Sequence, residues 1–254
     1  MTSDLPLPVL NLAAYCFVDI DDVDDCVASM RGACESRSLL GTVLVAPEGV
    51  NLFLAGRAED VDAFVAWFRD DPRFANASVK LSRSERVPFG RLLVKRKQEI
   101  ISFRQPGLHP AQQRAPSVEP DVLHRWLAQG HDDAGREVVL IDTRNQQEFV
   151  YGSFAAAIRL PIVKFTELGQ ALEPHRAALK DKTVVSFCTG GIRCEKAALW
   201  MRDAGYGDVL QLEGGILNYF ERVGGAHYEG ACFVFDERIA LTPSLLPIES
   251  SNEA

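Results

Sequence analysis

The chain contains 254 residues with a formal net charge of −8, and 47% of its residues are hydrophobic and 24% are charged. This length accommodates two domains of about 100–150 residues, and the composition excludes a disordered chain, a collagen-like repeat and a disulfide-stapled miniprotein. No apolar run approaches the ~18–20 residues of a membrane span, and the first residues lack the features of a secretory signal. The six cysteines contain no Cys-x-x-Cys pair. We therefore expect a cytoplasmic protein with reduced thiols and no membrane contact.

The first hundred residues alternate between β-prone and amphipathic segments. The pattern predicts strands at Val9–Ile20, Leu39–Val45, Val50–Leu54, Ser78–Leu81 and Arg91–Phe103, and helices at 21–36 and Glu59–Arg69. The acidic start of the first helix suits the positive end of its dipole. The order β-α-β-β-α-β predicts a ferredoxin-like (acylphosphatase-like) α+β domain over residues 1–104.

A segment with three prolines and one glycine, residues 105–116, disfavours both helix and strand and predicts an extended linker. Beyond it, the pattern predicts helices at Val118–Gln129, Phe165–Leu179 (interrupted by Pro174), Glu195–Ala204 and Ile216–Arg222, and buried strands at Val138–Ile141, Thr183–Phe187 and Asp208–Leu212. This rhythm predicts a three-layer α/β domain over residues 117–225, followed by a C-terminal extension, 226–254.

The segment from Lys80 to Arg104 holds eight basic residues against two acidic ones, although the whole chain is acidic. Such a local excess of positive charge predicts contact with the phosphates of a nucleic acid. The residues that we predict for this RNA-binding strip are Lys80, Arg83, Arg86, Arg91, Lys95, Arg96 and Lys97. An equally favoured alternative is an edge strand that basic side chains protect from aggregation.

The strand predicted to end at Phe187 is followed by Cys188-Thr189-Gly190-Gly191-Ile192-Arg193 and then by a helix. In such sheets, ligands bind at the carboxyl ends of the strands. Adjacent glycines let the backbone curl around a small anion, and the following helix presents its positive end to the same place. These features and Arg193 favour a thiolate at Cys188. We therefore predict an active-site loop rather than a turn in which Cys188 only packs.

The length of this loop separates two kinds of cysteine chemistry. Four residues lie between Cys188 and Arg193, whereas protein phosphatases that use cysteine place one residue more between the two. The shorter loop suits the outer sulfur of a persulfide or another small group. Phosphatase activity is therefore a minor hypothesis.

Segments 141–144, 188–193 and 212–216 resemble a rhodanese domain. More narrowly, the run Cys188–Ala197, the upstream Pro47-Glu48-Gly49-Val50-Asn51 and the segment 232–238 are similar to the rhodanese-like family of oxygen-dependent tRNA uridine-34 hydroxylases. The resemblance covers about residues 10–240, and the run from Cys188 is its most specific part. It implies hydroxylation of the wobble uridine at carbon 5, with Cys188 as the active residue, tRNA as the partner and molecular oxygen as the co-substrate.

Longer members of this family continue past the Phe-Asp-Glu-Arg segment into a cysteine-rich tail, whereas this sequence ends at Ala254 without one. We therefore expect no metal site or RNA contact that depends on such a tail.

Other residues have two interpretations each. Cys194 is either a small core residue or a resolving thiol for an oxidised Cys188. Asp142 and Arg144 follow a strand end, where we expect them to support the pocket, although Asp142 could equally cap a turn. The five histidines are isolated in sequence from one another and from the cysteines, so we predict no metal site. No cofactor is evident and no protein partner is implied.

Two alternative functions remain open. A rhodanese-type sulfurtransferase would form a persulfide on Cys188, but it has no obvious need for a basic ferredoxin-like domain. A non-catalytic module that senses redox state or persulfides is disfavoured by the intact loop. In the hydroxylase hypothesis, the basic strip holds the RNA backbone while a splayed wobble base reaches Cys188.

Overall fold

The computed structural model describes residues 7–248. The chain forms two compact units that divide between Ile101 and Ser102. Residues 1–6 of the predicted first domain and residues 249–254 of the predicted extension lie outside the described range. Within residues 7–248, no helix combines the length and the apolar character that crossing a membrane requires.

The first unit is a five-stranded sheet packed against two helices. Its elements are β1 (Val9–Phe17), α1 (Val23–Glu35), β2 (Leu40–Ala46), β3 (Gly49–Arg57), α2 (Ala58–Asp70), β4 (Ser78–Ser84) and β5 (Leu92–Arg96). The strand order is β4-β1-β3-β2-β5, in which β5 runs parallel to β2 and the other neighbours are antiparallel. The predicted ferredoxin-like order is confirmed, and β5 extends the sheet beyond β2.

One hydrophobic core joins the sheet to the helices. Alternate strand residues, among them Leu12 and Leu54, belong to the same buried cluster as Phe64 and Phe68 of α2. Because the side chains of a strand alternate between its two faces and those of a helix recur every three to four positions, this clustering follows from the sequence pattern. The stacked rings of Phe68 and Phe74, 4.7 Å apart, extend the core beyond the helix end.

The turn between β2 and β3 requires a glycine, and its neighbours hold the segment that follows β5. Gly49 has a φ of +141°, and a Cβ there would lie 2.0 Å from the Cys16 carbonyl oxygen, so only glycine fits. Next to it, the Glu48 carboxylate accepts the Ile100 N–H at 2.7 Å and the Asn51 amide donates to the Ile100 carbonyl. Backbone pairing with β2 ends at Lys97, whose N–H donates to the Val45 carbonyl at 2.7 Å. Side-chain contacts replace strand pairing beyond it, and the prediction of a strand as far as Phe103 is wrong.

The second unit contains a parallel sheet between helices. Its elements are β6 (Ser117–Val118), α3 (Pro120–Gln129), β7 (Val138–Asp142), α4 (Gln146–Phe149), β8 (Gly152–Phe154), β9 (Ile158–Arg159), α5 (Leu168–Leu172), α6 (Arg176–Leu179), β10 (Thr183–Phe187), α7 (Ile192–Asp203), β11 (Asp208–Leu212), α8 (Gly215–Val223), β12 (Tyr228–Gly230), β13 (Cys232–Phe233) and β14 (Ala240–Leu241). The sheet order is β6-β11-β10-β7-β9, and each neighbour pair is parallel. Every residue of the central strand β10 is buried, as expected when both faces are covered.

Three features of this unit bear on the predictions from sequence. Pro174 divides the predicted helix 165–179 into α5 and α6, which short 3₁₀ turns flank. The predicted extension is part of the unit, because β12 pairs with β8 and Tyr228 and Cys232 share a buried cluster with Phe154. Residues 105–116 form no helix or strand, and the Pro116 carbonyl accepts the Gln211 N–H of β11.

Candidate active site

The predicted loop from Cys188 lies at the carboxyl end of β10, against the first turn of α7. Gly191 has a φ of +99° and immediately precedes α7. Its backbone N–H donates a hydrogen bond to the Cys188 Sγ at 3.1 Å. Cys188 is only 1% exposed, whereas a Cβ built on Gly190 would meet no atom within 4 Å. The loop therefore holds a buried sulfur beside an open stretch of its own backbone.

The sulfur of Cys188 is stabilised as a thiolate. Burial opposes ionisation, but a hydrogen bond from the Cys194 thiol, the positive charge of Arg193 and the Arg193 and Gly191 amides together lower the pKa of Cys188 to about 6. These groups all follow Cys188 within one short segment of chain. Because the thiolate is the nucleophilic form, this pKa favours a nucleophilic Cys188 at neutral pH.

The other cysteines behave in the opposite way. Burial raises the pKa of Cys16, and it raises the pKa of Cys26 to about 11 and that of Cys34 to about 12. Burial also raises the pKa of Cys232 to about 12, against the lowering influence of Arg144 and Thr189. Cysteine content alone does not reveal this contrast, which depends on the surroundings of each sulfur.

Gly214 and Gly215, which follow β11, bring the start of α8 against the loop from Cys188. The N–H groups of Ile216 and Leu217, in the first turn of α8, donate to the Cys188 and Thr189 carbonyls at 2.9 and 3.1 Å. A Cβ on Gly215 would lie 2.5 Å from the Cys188 carbonyl oxygen, and the φ of Gly215 is +66°. The loop and α8 therefore approach closely only because residue 215 is glycine.

A buried carboxylate that the sequence analysis missed holds Arg193. Glu148 of α4 is 0% exposed, and its Oε1 lies 2.8 Å from the Arg193 Nη2. The same carboxylate accepts the backbone N–H of Asn145 at 3.0 Å, as in a capping box. The Asn-x-x-Glu spacing was a visible signal for this helix start, but its pairing with Arg193 depends on the tertiary fold.

Asp142 and Arg144 form a second buried ion pair behind the loop. Both side chains are 0% exposed, and the Asp142 Oδ2 lies 2.7 Å from the Arg144 Nη2. Asp142 also accepts the Ser153 hydroxyl at 2.7 Å, while Arg144 donates to the Gly152 carbonyl at 2.7 Å. These contacts fix the turn after β7 to β8, and Asp142 also caps this turn by accepting the Arg144 backbone N–H at 3.0 Å. Support of the pocket by this pair stays a prediction.

Cys194 and Thr143 complete the surroundings of the sulfur. The Thr143 hydroxyl donates to the Phe187 carbonyl at 2.9 Å and lies 3.7 Å from the Cys194 Sγ. Burial and the adjacent Cys188 raise the pKa of Cys194 well above its usual value. Cys194 is therefore a protonated thiol hydrogen-bonded to a thiolate, which is compatible with both predicted interpretations.

Comparisons with known proteins agree with this arrangement. Residues 9–100 match the UPF0176 acylphosphatase like domain, and residues 120–222 match the Rhodanese-like domain. Proteins named tRNA uridine(34) hydroxylase from Xanthomonas euvesicatoria pv. vesicatoria and Xanthomonas axonopodis pv. citri are 60% and 61% identical to this chain, over 94% of it and over 97% and 96% of their own lengths. One from Cupriavidus taiwanensis is 55% identical over 95% of this chain and 86% of its own. The chain belongs to the tRNA uridine(34) hydroxylase family. The resemblance stated from sequence is confirmed.

In this member of the family, the predicted basic strip is not one surface. Lys80, Arg83 and Arg86 lie on or just after β4 (the β4-edge cluster), whereas Arg91, Lys95, Arg96 and Lys97 lie on or beside β5 (the β5-edge cluster). These strands are opposite edges of the sheet, four strand intervals or roughly 19 Å apart. The prediction of a single strip is wrong, because the chain crosses the whole sheet between β4 and β5.

The two clusters also differ in the exposure and the contacts of their basic side chains. In the β4-edge cluster, Lys80 is half-buried and Arg83 donates to the Leu7 carbonyl at 3.0 Å. In the β5-edge cluster, Lys95, Arg96 and Lys97 are all exposed, and Arg96 pairs with Asp24 at 2.6 Å. Both positions are compatible with protection of a sheet edge as well as with phosphate contact.

The histidines are not all isolated in space. The rings of His124 and His227 lie 5.2 Å apart, although 103 positions separate them in sequence. Across residues 7–248, no group of three or more His, Cys, Asp and Glu side chains is arranged to hold a metal ion.

Proposed function

We propose that this protein hydroxylates carbon 5 of the wobble uridine 34 of tRNA, with molecular oxygen as co-substrate and Cys188 as the active residue. The observation that carries the proposal is the Cys188 thiolate, held by the Gly191 amide in a chain about 60% identical to proteins named for this reaction. The likeness supplies the substrate and the reaction, and the loop supplies a reactive group suited to it.

The overall reaction balances with a thiol reductant. One oxygen atom of O₂ is inserted into the C5–H bond of uridine, and the other leaves as water, which requires two electrons and two protons. Oxidation of two thiols to one disulfide releases that number of each. The balanced reaction is therefore uridine, O₂ and two thiols giving 5-hydroxyuridine, water and a disulfide.

Cys188 and Cys194 are suited to supply these electrons. Their side chains are hydrogen-bonded, one as a thiolate and the other as a protonated thiol. Oxidation would join the two sulfurs and release two electrons and the Cys194 proton, while solvent supplies the second proton because Cys188 is already ionised. The resulting disulfide is reduced by exchange with an external dithiol. In the absence of a reductant, wild-type protein should then complete at most one turnover and acquire this disulfide. Cys194→Ala should complete none without an external thiol.

We further propose that the β5-edge cluster contacts the RNA backbone. Its three consecutive cations, Lys95, Arg96 and Lys97, are all exposed, whereas only two cations of the β4-edge cluster, Arg83 and Arg86, are exposed. Phosphate contacts supply affinity without reading sequence, so they would hold tRNA while the loop around Cys188 receives one base. The uridine must leave the base stack of the anticodon loop, since the sulfur is buried.

Sulfurtransfer is the second candidate, because the short loop from Cys188 suits a small group on the sulfur and a Cβ on Gly190 in this loop would meet no atom within 4 Å. The two reactions differ in the atom that they deliver. Unmodified tRNA transcript should be incubated with protein and a dithiol in air, under nitrogen and under heavy-oxygen gas, and its nucleosides then weighed. A hydroxylase adds about 16 Da to uridine in air, whereas a persulfide adds about 32 Da to Cys188 in the presence of thiosulfate.

We expect 5-hydroxyuridine only with oxygen, with heavy oxygen incorporated, and with none formed by Cys188→Ser. Cys232→Ser is the matched control, because it removes another buried thiol of the same unit whose pKa is raised rather than lowered. Unmodified uridine in air, together with rapid transfer of sulfur from thiosulfate to cyanide, would refute hydroxylation and favour the sulfurtransferase.

A further inference from the structure

Three aromatic side chains, Tyr151, Phe233 and Phe235, form a connected surface on the second unit, which we call the aromatic platform. The Tyr151 and Phe233 ring centroids lie 5.4 Å apart, and those of Phe233 and Phe235 lie 5.0 Å apart. Phe235 is 51% exposed and Tyr151 is 39% exposed. Large aromatic rings are seldom left this exposed in a group without a binding role.

The backbone that carries these rings is firmly held. The turn around Phe235 is pinned by Asp236, whose carboxylate accepts the backbone N–H and the guanidinium of Arg238. The Tyr151 carbonyl accepts the Ala231 N–H at 2.8 Å. The rings are therefore displayed by an ordered scaffold, which limits the entropy that binding would cost.

The platform is joined directly to the active-site loop. The Thr189 hydroxyl donates to the Phe233 carbonyl at 3.3 Å, and Thr189 is the residue after Cys188. The Arg193 guanidinium lies 5.7 Å from the centre of the Phe235 ring. A molecule resting on the exposed rings would consequently lie beside the loop that holds Cys188.

We propose that the aromatic platform stacks unpaired bases of the tRNA anticodon loop next to the wobble uridine, and so delivers that uridine to Cys188. This inference rests on the proposed function. Aromatic rings stack on any base, and such stacking offsets the cost of taking a base out of its helix or loop stack. The neighbouring rings meet at 42° and 87°, so they present separate faces rather than one continuous groove for an apolar peptide.

The experiment measures binding of an anticodon stem-loop RNA, labelled at its 5′ end, by fluorescence anisotropy. Phe235→Ala should weaken binding by roughly 5- to 150-fold, the range found when one base–aromatic stack is removed. Phe235→Leu, which keeps apolar area but has no ring, should weaken binding similarly, whereas Phe235→Trp should preserve it. Leu246→Ala, at an exposed apolar residue of the same unit, is the matched control.

Stem-loops with an abasic site on either side of the uridine then identify the stacked base. If Phe235 stacks on that base, Phe235→Ala should have little further effect on the abasic RNA. The free energy of unfolding in urea is measured for each variant in parallel, so that weaker binding is not mistaken for a loss of folding.

Binding of Phe235→Ala and Phe235→Leu within twofold of wild type would overturn the platform. So would equal effects of Phe235→Ala on intact and abasic RNA. Hydroxylation by wild type is measured in parallel. If wild type hydroxylates the RNA and the Phe235 variants bind it normally, the platform proposal is refuted and the proposed function stands. If wild type does not hydroxylate the RNA and the variants bind it more weakly, the proposed reaction is refuted and the platform stands.

Discussion

Replacing Arg193 by glutamine should raise the pKa of Cys188 and slow its reactions at neutral pH. Burial alone would keep this thiol protonated, and the Arg193 charge is one of the influences that overcome burial. An opposite charge within a few ångströms lowers a pKa by roughly 1–3 units. Because Arg193 also pairs with the Glu148 carboxylate, we expect its effect in the lower part of this range, so its removal should move the pKa of Cys188 from about 6 toward roughly 7–8.

The shift has a direct kinetic consequence. At pH 7 the thiolate fraction would fall from about nine-tenths to between about one-half and one-tenth, so alkylation should slow by roughly 2- to 10-fold. Because the thiol ionises in both proteins at high pH, the two rates should converge above about pH 9. The assay is the rate of iodoacetamide labelling of the Cys188 peptide from pH 5 to pH 10. Arg193→Lys, which keeps the positive charge, should stay close to wild type.

A second variant separates the charge effect from a loss of folding. Arg193→Gln leaves the carboxylate of Glu148 buried without its cation, which is strongly destabilising in general. The double variant Arg193→Gln, Glu148→Gln removes both charges, and it should recover stability in urea while the pKa of Cys188 stays raised. A wild-type labelling profile in this folded double variant would refute a contribution of the Arg193 charge to the low pKa of Cys188.

Iodoacetamide at pH 7 should label Cys188 before the other five cysteines, whose pKa values are all raised, and peptide mapping that finds half-buried Cys16 labelled first would contradict this. Gly215→Ala should lower the free energy of unfolding in urea by ~1–3 kcal/mol, since its Cβ would meet the Cys188 carbonyl; Gly190→Ala, which has room for a Cβ, is the control. Alanine at Lys95, Arg96 and Lys97 should flatten the salt dependence of tRNA affinity more than alanine at the three residues of the β4-edge cluster. Unchanged slopes in both triple variants would assign both clusters to edge protection.

Much of the fold could be predicted from local patterns in the sequence. The strands Thr183–Phe187 and Asp208–Leu212 match their predicted bounds, because short apolar runs between turn residues are a strong strand signal. The loop from Cys188 was also predictable, since its glycines and arginine are adjacent in sequence. Elements of two to four residues, such as β9 and α4, were not predicted, because so few residues show no periodicity.

Contacts between residues far apart in the sequence could not be predicted from local patterns. Glu148 meets Arg193 across 45 positions, and nothing local to either residue specifies that contact. The prediction of a single basic strip was wrong for a related reason. Residues close in sequence need not share a surface, and β4 and β5 lie on opposite edges of the sheet. Which side chains share a site is decided by strand order, and strand order is set by the whole domain.

The charges around Cys188 suit a neutral substrate. Each nearby arginine is matched by a buried carboxylate, Arg193 by Glu148 and Arg144 by Asp142. An unpaired arginine would attract a phosphate dianion, whereas these pairs position the loop with little net charge. Stabilisation of the thiolate then depends strongly on fixed dipoles close to the sulfur, the backbone amides and the Cys194 thiol. Such a site can keep a thiolate ionised in a buried pocket and still accept an uncharged uracil ring, which is the combination that hydroxylation of a base requires.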